Sequence, residues 1–406
     1  MTFSIPSQTL SERKLKLNLK SLIILAAFSA VITGCSNKIN QTGSWLVASD
    51  SSMVPTYFNS VKDSSRVTSQ QVNVGLATGS SSSLILGKVP WTEADLLIEF
   101  IGLDSVADAQ TIVSANVTFL RSPYLLQPAG ANIHTLQLSG YALDTTWNGS
   151  TATWDTLNAL GYGSQNIVTS TQVTDTSVVI QLDSAAVRGW ALAVSDSNYK
   201  NFGFVIKPQN DEGVLSVYGP AYLTSGYIPV CTVICMKNGL PDTVTSSTSY
   251  ATSVAQTSIR TSAPAGPYRL VQAGTGEKTS ISFDLSRIPK YSIVNSATLT
   301  LYTDTTSQKP YTVGYHSDSL EAFYVSDPTT WSFGTGYPAT GIPSGDSCIF
   351  DVKLIVQHIL NTQNYGFLIS HYYNTDNVDT RFVYDENAPD SLKPRLTITY
   401  TPTTRR

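Results

Sequence analysis

The chain has 406 residues, 41% hydrophobic and 10% aromatic, which is enough to bury a large core and too apolar for a disordered polypeptide. Charged residues make up only 13%, about half of the roughly 25% usual in soluble domains, and Thr, Ser, Tyr and Val take their place, as in β-rich extracytoplasmic proteins. Lys and Arg total 25 against 29 acids, a net charge of -4, so no basic surface exists for a phosphate backbone and nucleic acid is excluded as a partner.

In chain order the first element is a basic stretch with Arg13, Lys14, Lys16 and Lys20, followed by an apolar run from Leu22 to Ile32. Together they read as a signal peptide over 1–34. The run is too short to cross about 30 Å of hydrocarbon, which takes roughly 20 residues. It ends in Ile32-Thr33-Gly34-Cys35, which resembles the bacterial lipobox. The resemblance implies that Cys35 is lipidated and becomes the first mature residue. Several acyl chains then anchor the protein in the outer membrane, with 35–49 as a tether. Ser36-Asn37-Lys38 carries no acidic cluster of the kind that resembles a surface-export signal in Bacteroidota lipoproteins, so cell surface and periplasmic face both stay open.

An internal repeat follows. Residues 96–120 match 279–302, 178–206 match 347–369 through Asn201-Phe202-Gly203-Phe204 and Asn364-Tyr365-Gly366-Phe367, and 215–235 match 380–400 through Val217-Tyr218 and Val383-Tyr384. Three matches in one order predict two tandem units, 50–237 and 240–402, joined near Lys237-Asn238-Gly239. Within each unit the pattern has period two: Ala297, Leu299 and Leu301 alternate with Ser296, Thr298, Thr300 and Tyr302, as in a half-buried strand. This predicts an all-β protein of two tandem jelly-roll-like β-sandwich domains. One short helix per unit interrupts the strands. Asp183 and Asp351 are placed as N-caps, with apolar stripes Val187, Trp190, Ala191, Val194 and Val352, Ile355, Val356, Ile359 behind them.

The elements FDLSRIP, VNSATLTLY, TTW, FDVKLIVQHILNTQNYGFLI and KPRLTITY of the second unit resemble the DNRLRE domain of secreted bacterial proteins, part of which is classed as carbohydrate-binding module family 96. The first unit resembles a divergent copy, with Phe100-Ile101-Gly102-Leu103 replacing the FDLS element. The resemblance implies a jelly-roll-like accessory module without catalytic residues or cofactor.

The candidate chemistry is sparse. Asp385, Glu386 and Asp390 crowd into one turn, which suits a solvated loop or a cation site better than a glycosidase pair set across a cleft. Asp376 and Asp379 lie nearby and make Ca²⁺ conceivable, although six to eight oxygens would have to converge. No Gly-x-Ser-x-Gly elbow precedes a helix, and His134, His316, His358 and His371 are not matched between units. Cys231 and Cys235 lie on one strand face about 13 Å apart at a rise near 3.3 Å per residue, too far to bridge, and read as packing; Cys348 has no evident partner.

Aromatic rings that stack on sugar C–H faces are what remains. Trp331, Trp147 or Trp154, and Trp190 read as core. Trp91 beside Pro90, Tyr124 beside Pro123, and Tyr372 and Tyr373 after His371 are the ligand candidates. The sequence thus predicts a non-enzymatic, lipid-anchored envelope protein that binds or scaffolds a polysaccharide. The alternative is a structural or adhesive component contacting a protein partner, and a cryptic lyase or hydrolase ranks last.

Overall fold

Among the described residues, alternating apolar residues separated by turns build 23 strands and three short α-helices. The computed structural model describes residues 54–79, 81–222, 225–257, 266–304, 311–313, 319–372 and 375–403; Cys35 and the signal and tether segments lie outside them. The first strands are β1 (Thr56–Asn59), β2 (Val67–Asn73), β3 (Ser83–Val89), β4 (Thr92–Phe100), β5 (Thr111–Pro128), β6 (Leu138–Ala142), β7 (Val168–Val173), β8 (Ser177–Leu182), β9 (Phe204–Pro208), β10 (Gly213–Tyr218), β11 (Val230–Lys237) and β12 (Leu240–Thr257). Then come β13 (Tyr268–Gln272), β14 (Glu277–Phe283), β15 (Ile293–Asp304), β16 (Tyr311–Val313), β17 (Leu320–Asp327), β18 (Ser332–Thr340), β19 (Ile342–Ser344), β20 (Ser347–Asp351), β21 (Phe367–His371), β22 (Thr380–Tyr384) and β23 (Arg395–Thr401). The helices are α1 (Trp154–Leu160), α2 (Ser184–Leu192) and α3 (Lys353–Asn361).

The strands form two large antiparallel sheets, ordered β10-β3-β4-β12-β11-β5-β8-β7 and β1-β23-β15-β22-β13-β14-β21-β17-β18, with shorter strands attached. Each bends over its own core. In the first, β5 and β12 make the bend: β12 pairs with β11 through residues 240–247 and then with β4 from Thr248, with a register shift after Thr248. One core gathers Leu96, Ile98, Phe119, Val187 and Phe204, the other Ile281, Leu299, Phe350, Ile355 and Phe367.

One of the three matched stretches makes the same side-chain contacts in both halves. Asn201 donates from Nδ2 to the Phe100 carbonyl at 2.8 Å and accepts from Gly203 N at 3.2 Å; Asn364 does the same with Phe283 at 2.8 Å and Gly366 at 3.1 Å. Gly203 and Gly366 have φ of 76° and 87°, a left-handed conformation that favours glycine. The expected alternation in β15 is also present, with Ala297, Leu299 and Leu301 buried.

Asp183 caps α2 as expected, accepting from Ala185 N and Ala186 N at 2.8 and 3.1 Å. Val187, Trp190 and Ala191 face the core, but Val194 is exposed because α2 stops at Leu192. At α3 the N-cap position is Val352, one residue beyond the expected Asp351, whose Oδ1 still accepts from Lys353 N at 3.1 Å. Helix α1 was not foreseen. Thr153 caps it weakly, accepting from Thr156 N at 3.4 Å.

Strand pairing cuts across the expected division at 237/240. Asn238 and Gly239, with φ of 51° and 76°, form a tight two-residue turn that pairs Lys237 with Leu240, as two successive positive φ values allow. So β12 folds back on the first half. The corresponding role in the second half is filled from the N-terminus: β1 pairs with β23, Phe58 opposite Ile398, and β2 pairs with β14 from Val67 opposite Phe283 to Asn73 opposite Glu277. Phe58 is buried in the second core. The chain therefore begins in the second half, builds the first and returns, and Pro55–Arg406 forms one compact unit.

Candidate functional site

The two halves meet where the ends of β2 and β12 come together, and alternation decides what the meeting point presents. On β4, Leu96 and Ile98 point into the first core, so Glu93 and Asp95 fall on the opposite face. Lys207 of β9 stands beside Asp95, because Leu96 pairs with Ile206. Its Nζ donates to Asp95 Oδ2, lies 3.6 Å from Glu93 Oε1, and sits 5.3 and 5.8 Å from the ring centres of Trp154 and Tyr162. Asp95 is fully buried and its Oδ1 has no hydrogen-bond partner. Burial, only partly offset by Lys207, pushes its carboxyl up to about 7. Burial works against the Lys207 ammonium, but the Asp95 carboxylate prevails and raises it.

Helix α1 lies over this pair and places Trp154 at the wall of a pocket of about 410 Å³. Asn73 and Gly75 from the end of β2, Gln256 from the end of β12, Thr275 and Glu277 from the β13–β14 turn, and Asp155 complete it. The acid at its edge is held by amides: Gln71 Nε2 donates to Glu277 Oε2 at 2.9 Å and Asn73 Nδ2 to Oε1 at 2.7 Å. A second pocket of about 240 Å³ is lined by Lys88, Trp91, Thr92, Glu93 and, again, Gln256. The two share Gln256 in their walls, and each carries one tryptophan together with amide, hydroxyl and carboxylate groups. Concave sites with an aromatic wall and a few fixed polar groups, a few hundred Å³ in volume, are what small ligands occupy.

Of the aromatic candidates, Trp91 lines the second pocket; it also packs against the Val89–Tyr124 and Leu270–Phe382 clusters. Tyr124 is elsewhere and buried: its hydroxyl lies 3.1 Å from Asp379 Oδ1 and accepts from Val378 N at 3.2 Å. Burial first and Asp379 second push its phenol well above the ordinary value. It fastens one half to the other and has no face open to a ligand. Tyr372 is exposed beyond β21, its amide bonded to Ser319 O at 3.1 Å, and lines neither pocket. Tyr373 and His316 lie outside the described residues.

The acids of the 385–390 turn are taken up by basic side chains. Arg269 takes Asp385 Oδ2 at 2.9 Å and Glu386 Oε1 at 3.3 Å, and Ser69 also donates to Glu386. Asp390 pairs with Lys393 at 2.8 Å. Among the described residues no group of three His, Cys, Asp or Glu is placed to hold a metal ion. Cys231, Cys235 and Cys348 are buried free thiols, and burial pushes Cys231 up to about 12, which suits packing. Trp147 donates from Nε1 to Phe202 O at 2.9 Å, and Trp331 packs with the Phe323 and Phe333 cluster.

Sequence reasoning passed over Gln256, Asn73 and Glu277 and read Trp154 as core, whereas it lines the first pocket. The signal present for Trp154 was Thr153, an N-cap residue type directly before it. No protein-family model, curated protein or solved structure matches this chain, and no helix among the described residues is long and apolar enough to cross a membrane.

Proposed function

We propose that this protein is a non-catalytic glycan-binding component of the bacterial envelope, held to the outer membrane through lipid on Cys35, and that a saccharide lies in the cleft from Trp154 past Gln256 to Trp91. The observation that carries the reading is the pair of pockets, each with one tryptophan, that share Gln256 in their walls. Tryptophan offers a flat face to sugar C–H groups, and fixed amides and carboxylates take hydroxyls. The DNRLRE-like motifs and the tandem repeat support the same reading.

A hydrolytic role has less support. Asp95 has the raised pKa that a general acid needs, but it is sealed beneath the sheet surface and lines neither pocket. Glu93 is engaged by Lys88 and Lys207, and Glu277 by two amides.

The test is calorimetric titration of the folded mature chain with a panel of soluble oligosaccharides, alongside Trp154→Ala. Saturable binding to at least one, weakened tenfold or more in the variant, is expected. No binding across the panel, or binding indifferent to Trp154, overturns the assignment and leaves the structural or adhesive role.

A further inference from the structure

The contact between Asp95 and Lys207 carries an inference that is independent of any ligand. The two residues face each other on β4 and β9, one step along the antiparallel ladder from Leu96 and Ile206. Asp95 is fully buried, the Lys207 side chain is 19% exposed, and Nζ lies against the rings of Trp154 and Tyr162. Nζ touches Asp95 Oδ2, while Oδ1 of the same carboxyl finds no donor. A buried carboxylate with one oxygen unpaired is costly. Glu93, two residues back on the same face of β4, places Oε1 3.6 Å from the same Nζ, and its Oε2 is 3.8 Å from Lys88 Nζ. Burial pushes the Asp95 carboxyl up to about 7 against the pull of Lys207, and Glu93 adds to the rise. Near neutral pH the acid is therefore protonated in a sizeable fraction of chains.

We propose that Lys207 and Asp95 condense, unaided by any enzyme, to an amide that cross-links β4 to β9, with Glu93 carrying the proton. One ammonium proton passes to the Asp95 carboxylate, and the freed Nζ lone pair attacks Cγ. A second proton leaves Nζ, by way of Glu93, for the hydroxyl of the tetrahedral adduct; the Cγ–O bond breaks and water departs. The third stays on the amide nitrogen, so atoms and charges balance without a co-reactant. Holding amine and acid in contact supplies an effective concentration on the order of 10⁵ M or more, and a dry setting favours the neutral product over the ion pair. The bond closes the chain between residues 95 and 207, which restricts the unfolded state. It also fastens the β6–β9 ribbon, which pairs with the main sheet through β4.

The second half supplies a comparison. Matching Phe100 with Phe283 and Asn201 with Asn364 sets Lys278 at the place of Asp95 and Ser370 at that of Lys207. Lys278 is buried too, its Nζ 4.5 Å from the Phe333 ring centre. A serine stands opposite it, one step along the ladder from Thr279 and Ile369, so no carboxyl carbon is in place and the bond belongs to the first half.

The test is the intact mass of the folded, full mature chain, followed by proteolysis. The wild type is expected to weigh one water less than its composition requires, and its digest to yield a branched peptide pair joined through Asp95 and Lys207, with Lys278 unmodified. Glu93→Gln leaves the contacting pair in place and forms the bond on the order of a hundredfold more slowly. Lys207→Arg keeps the full mass. After prolonged incubation at neutral pH, a wild-type chain of full mass overturns the proposal. So does a missing water that maps to a cyclised backbone aspartate instead of a linked pair. Neither result bears on the glycan cleft.

Discussion

Phe58→Ala is the sharpest probe of how the chain closes. Phe58 is 3% exposed in a strand of only four residues, yet its neighbours are Ile398 across the ladder and the core of the second half, more than 200 residues away in sequence. Truncating a buried phenylalanine removes its transfer energy and leaves a cavity, together about 3–5 kcal/mol. Such a short strand keeps its register by this one buried ring on the core side, so the loss also frees the main-chain bonds of β1 to β23. Urea unfolding of the full chain should register a drop of at least about 3 kcal/mol. Hydrogen exchange should localise it: amides of 396–400 lose protection, whereas those of β11 and β12 keep theirs at the level of global opening. A loss under about 1 kcal/mol, or one confined to 83–257, would refute the placement of the N-terminal strands on the second half.

Further predictions concern individual contacts. Gly203→Ala and Gly366→Ala each place a Cβ against a neighbouring strand's backbone at φ of 76° and 87°; each should cost roughly 1–3 kcal/mol in urea unfolding, and the repeat predicts similar losses. Tyr124→Phe removes the hydroxyl between Asp379 and Val378 N and with it one hydrogen bond from each of these buried groups, at about 1–3 kcal/mol; an unchanged midpoint contradicts the fastening role. Unbonded Asp95 titrates near 7 when folded against its ordinary 3.8, so between those pH values the folded chain retains a proton that the unfolded chain has released. Its contribution to stability therefore declines as pH rises from about 4 to about 7. Relative to the double variant that adds Asp95→Asn, the freshly folded, slow-bonding Glu93→Gln chain should lose stability over that window at up to about 1.4 kcal/mol per pH unit, and parallel curves would dispose of the idea.

Much of the architecture was legible because local rules decide it. Alternation set the buried face of β15, Asp183 marked the start of α2, and the Asn-aromatic-Gly-Phe motif marked the same turn twice. Partner choice was not legible. Period two says which side of a strand is apolar, and is silent on whether Val67–Asn73 lies against β4 or β14. Asn238-Gly239 carried a hairpin signal, yet it also sits between the repeats and was read as a junction. Tyr124 looked like a loop residue beside Pro123 but belongs to the 18-residue β5, whose continuation past the bend carries it inside. The cleft was hidden for a related reason: Asn73, Trp154, Gln256 and Glu277 come from four distant segments brought together by strand pairing. Only Trp91, marked by Pro90 at a strand turn, stood out in sequence.

Mapping amide protection with and without a bound oligosaccharide on the mature chain tests the account most directly. Slowed exchange at 73–76, 88–93, 153–156, 255–256 and 275–277 together is the predicted pattern, since one ligand running from Trp154 to Trp91 touches all five segments. Protection confined to the Tyr372 region, or spread over one half without the other, would contradict it.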